Sequence, residues 1–157
     1  MARENLEIPI SVDLYGFNCW YRMEGLTGQN ANIFSDYVDV ISPMFYPSHF
    51  PGSFYGKETY NKRARLIYEE GVARAVQIVE DRCLIRPYVQ AFLLGGELRM
   101  KAPQYTQYLL EQIKGTLAAP SSGFTLWNNS NNYYMVKQPL GHYIPEKATE
   151  QESGVEQ

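Results

Sequence analysis

Short runs of β-branched and aromatic residues alternate along this chain with two long segments of helical period, and that alternation restricts the fold more than any single motif. The runs are Ile8 to Tyr15, Val38 to Tyr46, Leu84 to Phe92 and Gly123 to Trp127. Between the second and third runs, Asn61 to Asp81 places Ala64, Ile67, Tyr68, Gly71, Ala75, Ile78 and Val79 along one stripe. That is the i, i+3, i+4, i+7 spacing of a half-buried helix. Gln104 to Ala119 repeats it with Tyr105, Tyr108, Leu109, Ile113 and Leu117, after Pro103. A shorter helix is expected within Gln29 to Tyr37. Strand and helix in turn predict an α/β fold of βα units around a parallel sheet.

No G-x-G-x-x-G or G-x-x-x-x-G-K pattern follows a run, so the nucleotide-binding fingerprint of doubly wound sheets is missing. The loops after the strands are long and carry the unusual residues, whereas those before them are short. That asymmetry fits a (β/α) barrel, whose working face is built from the loops that follow the strands. A complete barrel takes about 250 residues and at least about 200. Four strands in 157 residues therefore predict half of a TIM-type (β/α)8 barrel, over residues 1–144. Half a barrel leaves two parallel edges unpaired and one face bare. It is expected to be completed by a second copy, as a homodimer, or by a missing N-terminal half. From Pro145 onward (PEKATEQESGVEQ) the chain is polar without an apolar period, and 145–157 reads as a disordered tail.

A net charge of −3 lacks the basic excess of a nucleic-acid groove. No apolar run approaches the roughly 18 residues of a membrane-spanning helix. Residues 1–7 (MARENLE) do not read as a signal peptide. Cys19 and Cys83 lack metal-ligand company and read as ordinary thiols. No cofactor motif is present. Aromatic residues make up 14% of the chain, and many fall beside Gly, Pro and Asn, so a stacking surface for a flat ligand is plausible alongside an aromatic core.

The strand ends carry the motifs. The first run gives Ser11-Val12-Asp13-Leu14-Tyr15-Gly16 and the second Ile41-Ser42-Pro43-Met44-Phe45-Tyr46-Pro47-Ser48-His49. The third gives Arg86-Pro87-Tyr88-Val89-Gln90-Ala91-Phe92, and the fourth Trp127-Asn128 followed by Asn131 and Tyr133. With Gly28-Gln29, and in this order from about Ile8 to Tyr134, these segments resemble the glycoside-hydrolase-like family catalogued as domain of unknown function 4015. The resemblance implies a TIM-type barrel acting on polysaccharide, without a cofactor, in an exported or cell-envelope setting, with this chain matching its C-terminal half. In the family a D-Y-V-R-F-P-like segment earlier in the barrel supplies an acidic residue. Nothing in this sequence corresponds to it, and glycoside hydrolysis ordinarily needs two carboxyl groups.

Asp13, at the carboxyl end of its strand, is the candidate general acid, with Tyr15 and Phe17 as apolar walls that could raise its pKa. The plainer reading is a carboxylate that orients the next loop. Asp39 precedes its strand's apolar stretch and reads as structural. Tyr46 and His49 follow the second strand; His49 could meet a sugar hydroxyl or simply a loop carbonyl. Pro43 and Pro47 are expected to fix the exit from that strand. Arg86 and Gln90 share parity, so Arg86 could neutralise a buried acid beneath the site and Gln90 reach a sugar hydroxyl, or both could plug the barrel centre. Trp127 is either a floor for a sugar ring or a core indole. Asn128, Asn131 and Tyr133 suit hydroxyl recognition, and equally suit turns. Glu24 and Glu97 are weaker candidates, expected to be solvated. Three functions follow: a glycosidase completed by other strands, a carbohydrate-binding or scaffold half-barrel without catalysis, or a fragment with no activity of its own.

Overall fold

The computed structural model describes residues 8–21, 24–139 and 141; the tail assigned to 145–157 and the Glu24 side chain lie outside the described residues. The chain forms a parallel sheet of five short strands, β1 (Ser11–Tyr15), β2 (Val40–Met44), β3 (Leu84–Ile85), β4 (Tyr88–Gln90) and β5 (Thr125–Trp127). The sheet order is β1-β2-β4-β5, with β3 also on β2, and every pairing is parallel. β2 is thus added beside β1, β3 and β4 both beside β2, and β5 beside β4. The α/β reading with a parallel sheet holds.

The third run is two strands rather than one, β3 and β4, both paired with β2. Pro43 departs from expectation in the opposite sense: it lies inside β2, opposite Leu14, instead of ending the strand. Ile41 accepts the Arg86 N–H through its carbonyl, so by parity Pro43 turns the same edge toward the gap between β3 and β4. Its missing donor leaves the Arg86 carbonyl without a ladder bond from β2, and there the third run divides into β3 and β4.

Helices α1 (Glu24–Thr27) and α2 (Ala31–Phe34) connect β1 to β2, α3 (Tyr60–Val79) connects β2 to β3, and α4 (Ala102–Leu117) connects β4 to β5. The Asn30 side chain caps α2 by accepting the Ile33 N–H. Glu80, at φ 49°, stops α3 in a left-handed turn. Pro103 sits in the first turn of α4, where no intrahelical donor is needed. The α3 stripe of Ala64, Ile67, Tyr68, Val72, Ala75 and Val79 is fully buried, as are Tyr108, Leu109 and Ile113 of α4. They pack on Leu14, Ile41, Phe45, Ile85 and Val89, the side chains that one parity of the strands sends to the helices. The two helices approach closely at Gly115, where a Cβ would stand 2.3 Å from the Arg65 carbonyl oxygen.

Candidate active site

The other strand parity forms an open face. Ser11, Asp13 and Tyr15 alternate along it from β1; the register aligns Asp13 with Ser42 and Tyr15 with Met44, and Met44 in turn with Tyr88. Trp127 lies opposite Gln90 on the outer strand, and its ring meets Tyr88 edge to face at 5.8 Å. Asp13 is exposed, and no described residue hydrogen-bonds or pairs with its carboxylate. Even so, the partial burial of Asp13 in the sheet surface raises its pKa above the ordinary carboxylate value. Its charge is felt by Tyr46 and Tyr88, whose hydroxyls are held in the protonated form mainly by burial. Between the β1 and β2 ends lies a small apolar notch of about 60 Å³ bordered by Tyr15, Phe17, Met44, Tyr46, His49 and Phe50.

Two buried side chains hold the loop that carries His49. Arg63 of α3 donates to four backbone carbonyls of that loop: Phe54 from Nε at 2.8 Å, Pro47 from Nη1 at 3.0 Å, and Phe50 and Pro51 from Nη2 at 3.1 Å each. Gln90, fully buried at the end of β4, accepts from the Ser48 N–H at 3.1 Å and from Ser48 Oγ at 2.9 Å. Its Nε2 donates to the Phe92 carbonyl at 2.9 Å and to Glu97 Oε2 at 2.7 Å. All four hydrogen-bonding capacities of the amide are used internally. Glu97 also accepts from Tyr108 Oη at 2.5 Å and from the Leu94 N–H at 3.1 Å. Burial pushes the Glu97 pKa up, against the pull of those donors and of the Arg63 charge. Below the network, the Gln90 N–H is shared between Gln112 Oε1 and Tyr68 Oη, and Gln112 Nε2 returns a bond to the Gln90 carbonyl.

A family model described as "Putative glycosyl hydrolase domain" matches residues 1–133. The chain belongs to this family. No curated protein and no solved structure matches the chain. Within the matched residues, the Gly28-Gln29 pair serves β1: Gly28 takes φ +68°, and Gln29 Oε1 accepts from the Tyr15 N–H at 2.8 Å and Asn18 Nδ2 at 2.9 Å.

The sequence candidates divide. Asp13 lies in the middle of β1 rather than at its carboxyl end, because the strand runs on to Tyr15; Tyr46 and His49 follow β2, and Trp127 ends β5. Trp127 is 45% exposed and so is not a core indole. Gln90 and Asn128 are instead buried. Asn128 Nδ2 donates to the Ala91 carbonyl at 2.7 Å, while Oδ1 accepts from Ser130 N and Oγ and from Asn132 N. Asn131 turns the exposed loop beyond it at φ 55°. Asp39 accepts from the Ile10 N–H at 2.8 Å at the far end of the sheet, the structural place expected of it. Glu97 overturns expectation: it is 3% exposed, not solvated, because the 3-10 turn Gly95–Arg99 folds it under the strand ends.

Arg63, Ser48 and Gln112 were not singled out from sequence. Gln112 left a signal, since Tyr108, Gln112 and Thr116 form a polar i, i+4, i+8 line at the edge of the apolar stripe, and all three are buried. A larger groove of about 500 Å³ between α2 and the end of α3, lined by Asn18, Gln29, Asn32 and Gln77 among others, contains none of the candidate residues. Among the described residues, no group of three or more His, Cys, Asp or Glu could hold a metal ion, and no helix is long and apolar enough to cross a membrane.

Proposed function

We propose that residues 1–144 form the C-terminal half of a TIM-type glycoside hydrolase barrel, in which Asp13 is the general acid for cleavage of an O-glycosyl bond. The observation that carries this reading is Asp13 itself. It is a carboxyl group with raised proton affinity, on an open sheet face, whose charge is felt by Tyr46, just after β2, and by Tyr88 of β4. A carboxyl group with raised proton affinity is suited to pass a proton to a leaving-group oxygen. The exposed indole of Trp127 offers a flat apolar surface to the C–H face of a sugar. Tyr15, Tyr46, His49 and Asn131 would contact the substrate, with Gln90 and Asn128 holding those loops from behind.

The strand order supports the half-barrel, because β2, the β3–β4 line and β5 follow β1 across the sheet in chain order, and among the described residues β1 and β5 remain as edges. Those edges would pair with a second copy or with an N-terminal half, which would supply the second carboxyl group that hydrolysis requires. Light scattering should then give a particle of twice the 18.1 kDa chain mass, or a larger complex. In a polysaccharide hydrolysis screen, Asp13→Asn should lower the rate by about 10²- to 10⁴-fold. A rate equal to wild type would remove Asp13 from the chemistry.

One observation favours a second reading, carbohydrate binding without hydrolysis. Glu97, the other acid near the strand ends, is sealed beneath the face. Calorimetric titration with oligosaccharides separates the readings, since heat of binding without turnover supports the second.

A further inference from the structure

We propose that Gln90 and Ser48 fix His49 as its Nδ1–H tautomer, so that the imidazole presents a bare Nε2 acceptor to a hydroxyl-bearing ligand at the mouth of the sheet. Only the identity of that ligand as a sugar rests on the glycosidase reading.

The chain of reasoning runs through donors and acceptors whose roles admit no exchange. The Ser48 N–H can only donate and the Phe92 carbonyl can only accept. The Gln90 amide is therefore oriented with Oε1 toward Ser48 and Nε2 toward Phe92 and Glu97. A flipped amide would set its oxygen against both the Phe92 carbonyl and the Glu97 carboxylate, 2.9 and 2.7 Å from that corner of the amide. Oε1 carries no proton, so at the 2.9 Å contact with Ser48 Oγ the hydrogen belongs to the serine. A hydroxyl has one hydrogen. Ser48 Oγ consequently meets His49 Nδ1, 3.0 Å away, with a lone pair, and Nδ1 must hold a proton. In the neutral ring the other nitrogen is then the acceptor.

The ring is positioned to use that acceptor. It stands edge-on to Tyr46 at a centroid distance of 5.4 Å and to Phe92 at 6.2 Å, and it borders the notch shared with Tyr15 and Met44. His49 is exposed, and no described residue takes Nε2. Ser48 and Gln90 are thus positioning residues, acting on a ligand only through His49.

The test uses the full chain labelled with ¹⁵N, in a His142→Gln background so that His49 is the one remaining histidine of the two. Two-bond ¹H–¹⁵N correlations, recorded at alkaline pH where the ring is neutral, read the protonation of each nitrogen directly. The expected result is a protonated Nδ1 and a bare Nε2. Ser48→Ala should move the proton to Nε2, and Ser48→Thr should keep it on Nδ1. Both variants retain the residue 48 N–H bond to Gln90, and the backbone amide spectrum checks that they fold as wild type does. A protonated Nε2 in the parent, or a tautomer indifferent to Ser48→Ala, overturns the proposal. This measurement needs no substrate, so a failed hydrolysis screen would count against the glycosidase reading alone. Where the screen finds a substrate, Ser48→Ala should lower kcat/KM by about tenfold, the worth of one hydrogen bond, with Ser48→Thr restoring it. Unchanged kcat/KM beside a switched tautomer would overturn the ligand-facing role of Nε2.

Discussion

Leu84 and Ile85 are adjacent in one strand and nearly equal in apolar surface, yet Leu84 is 55% exposed and Ile85 3%. The contrast runs across the whole sheet. One parity of the strands meets α3 and α4 and is dry; the other carries Tyr15, Leu84 and Trp127 half in solvent, with Asp13 among them. Residue type does not separate the two faces. What separates them is that the chain lays two helices along one side, whereas the other is covered only at the strand ends, where the loops of Ser48 and Glu97 bury Gln90. Burial of an apolar side chain contributes about 1.5–3 kcal/mol, so the helix face supplies the stability while the open face leaves that contribution unused. A face left in that state is available to a ligand or to further protein.

The sharpest way to break this comparison is to truncate matched side chains on each face. Phe45→Ala, on the dry face and fully buried against Tyr68 and Trp20, should cost about 3–5 kcal/mol in urea denaturation. A cost under about 1 kcal/mol would mean that the helix layer is not the core. Next in size is the Glu97 effect, which asks whether the network beneath the open face carries a strained charge. Burial raises the Glu97 pKa in the folded chain above its unfolded value. The stability it supports is therefore fully present below the ordinary glutamate range and is lost as pH rises through the folded value. Relative to wild type, Glu97→Gln should gain stability over that same rise, whatever its offset in acid. A pH-independent difference between the two denaturation series would show that the carboxyl group is not strained. The smallest effect belongs to Leu84→Ser, which should change the stability of the isolated chain by no more than about 0.5 kcal/mol. If a second copy covers the face, the same substitution should instead weaken self-association, making the apparent stability depend less on concentration.

The helix face was the legible part of the molecule. A period of 3.6 with Ile67, Tyr68, Ala75 and Val79 in phase leaves one solution for α3, and the parallel sheet follows from its alternation with the strand runs. Strand limits were less legible, because Pro43 acts through which edge of the ladder it faces, and that depends on neighbours distant in sequence. Trp127 could be placed at a strand end from its motif, whereas Asp13, read as a strand end, lies mid-strand because β1 continues to Tyr15. Glu97 could not be read as buried, since its Gly-Gly-Glu surroundings look like an exposed loop. Only the partners Gln90, Tyr108 and Leu94, brought together by folding, make burial tolerable there. Arg63 was hidden for a related reason: a charged residue beside the apolar stripe suggests solvent, and the carbonyls that receive it lie 9 to 16 positions earlier.

Arg63 makes the segment from Pro47 to Phe54 a cooperative unit. Four carbonyls share one guanidinium that issues from the first turn of α3, so none can be released without weakening the hold on the others. The segment and the start of that helix are thereby expected to open and close together rather than fraying residue by residue. The His49 side of the mouth would then have two states, assembled or absent, with few intermediate geometries. A ligand arriving there would meet a site already formed, and its binding energy would not be spent on ordering the loop.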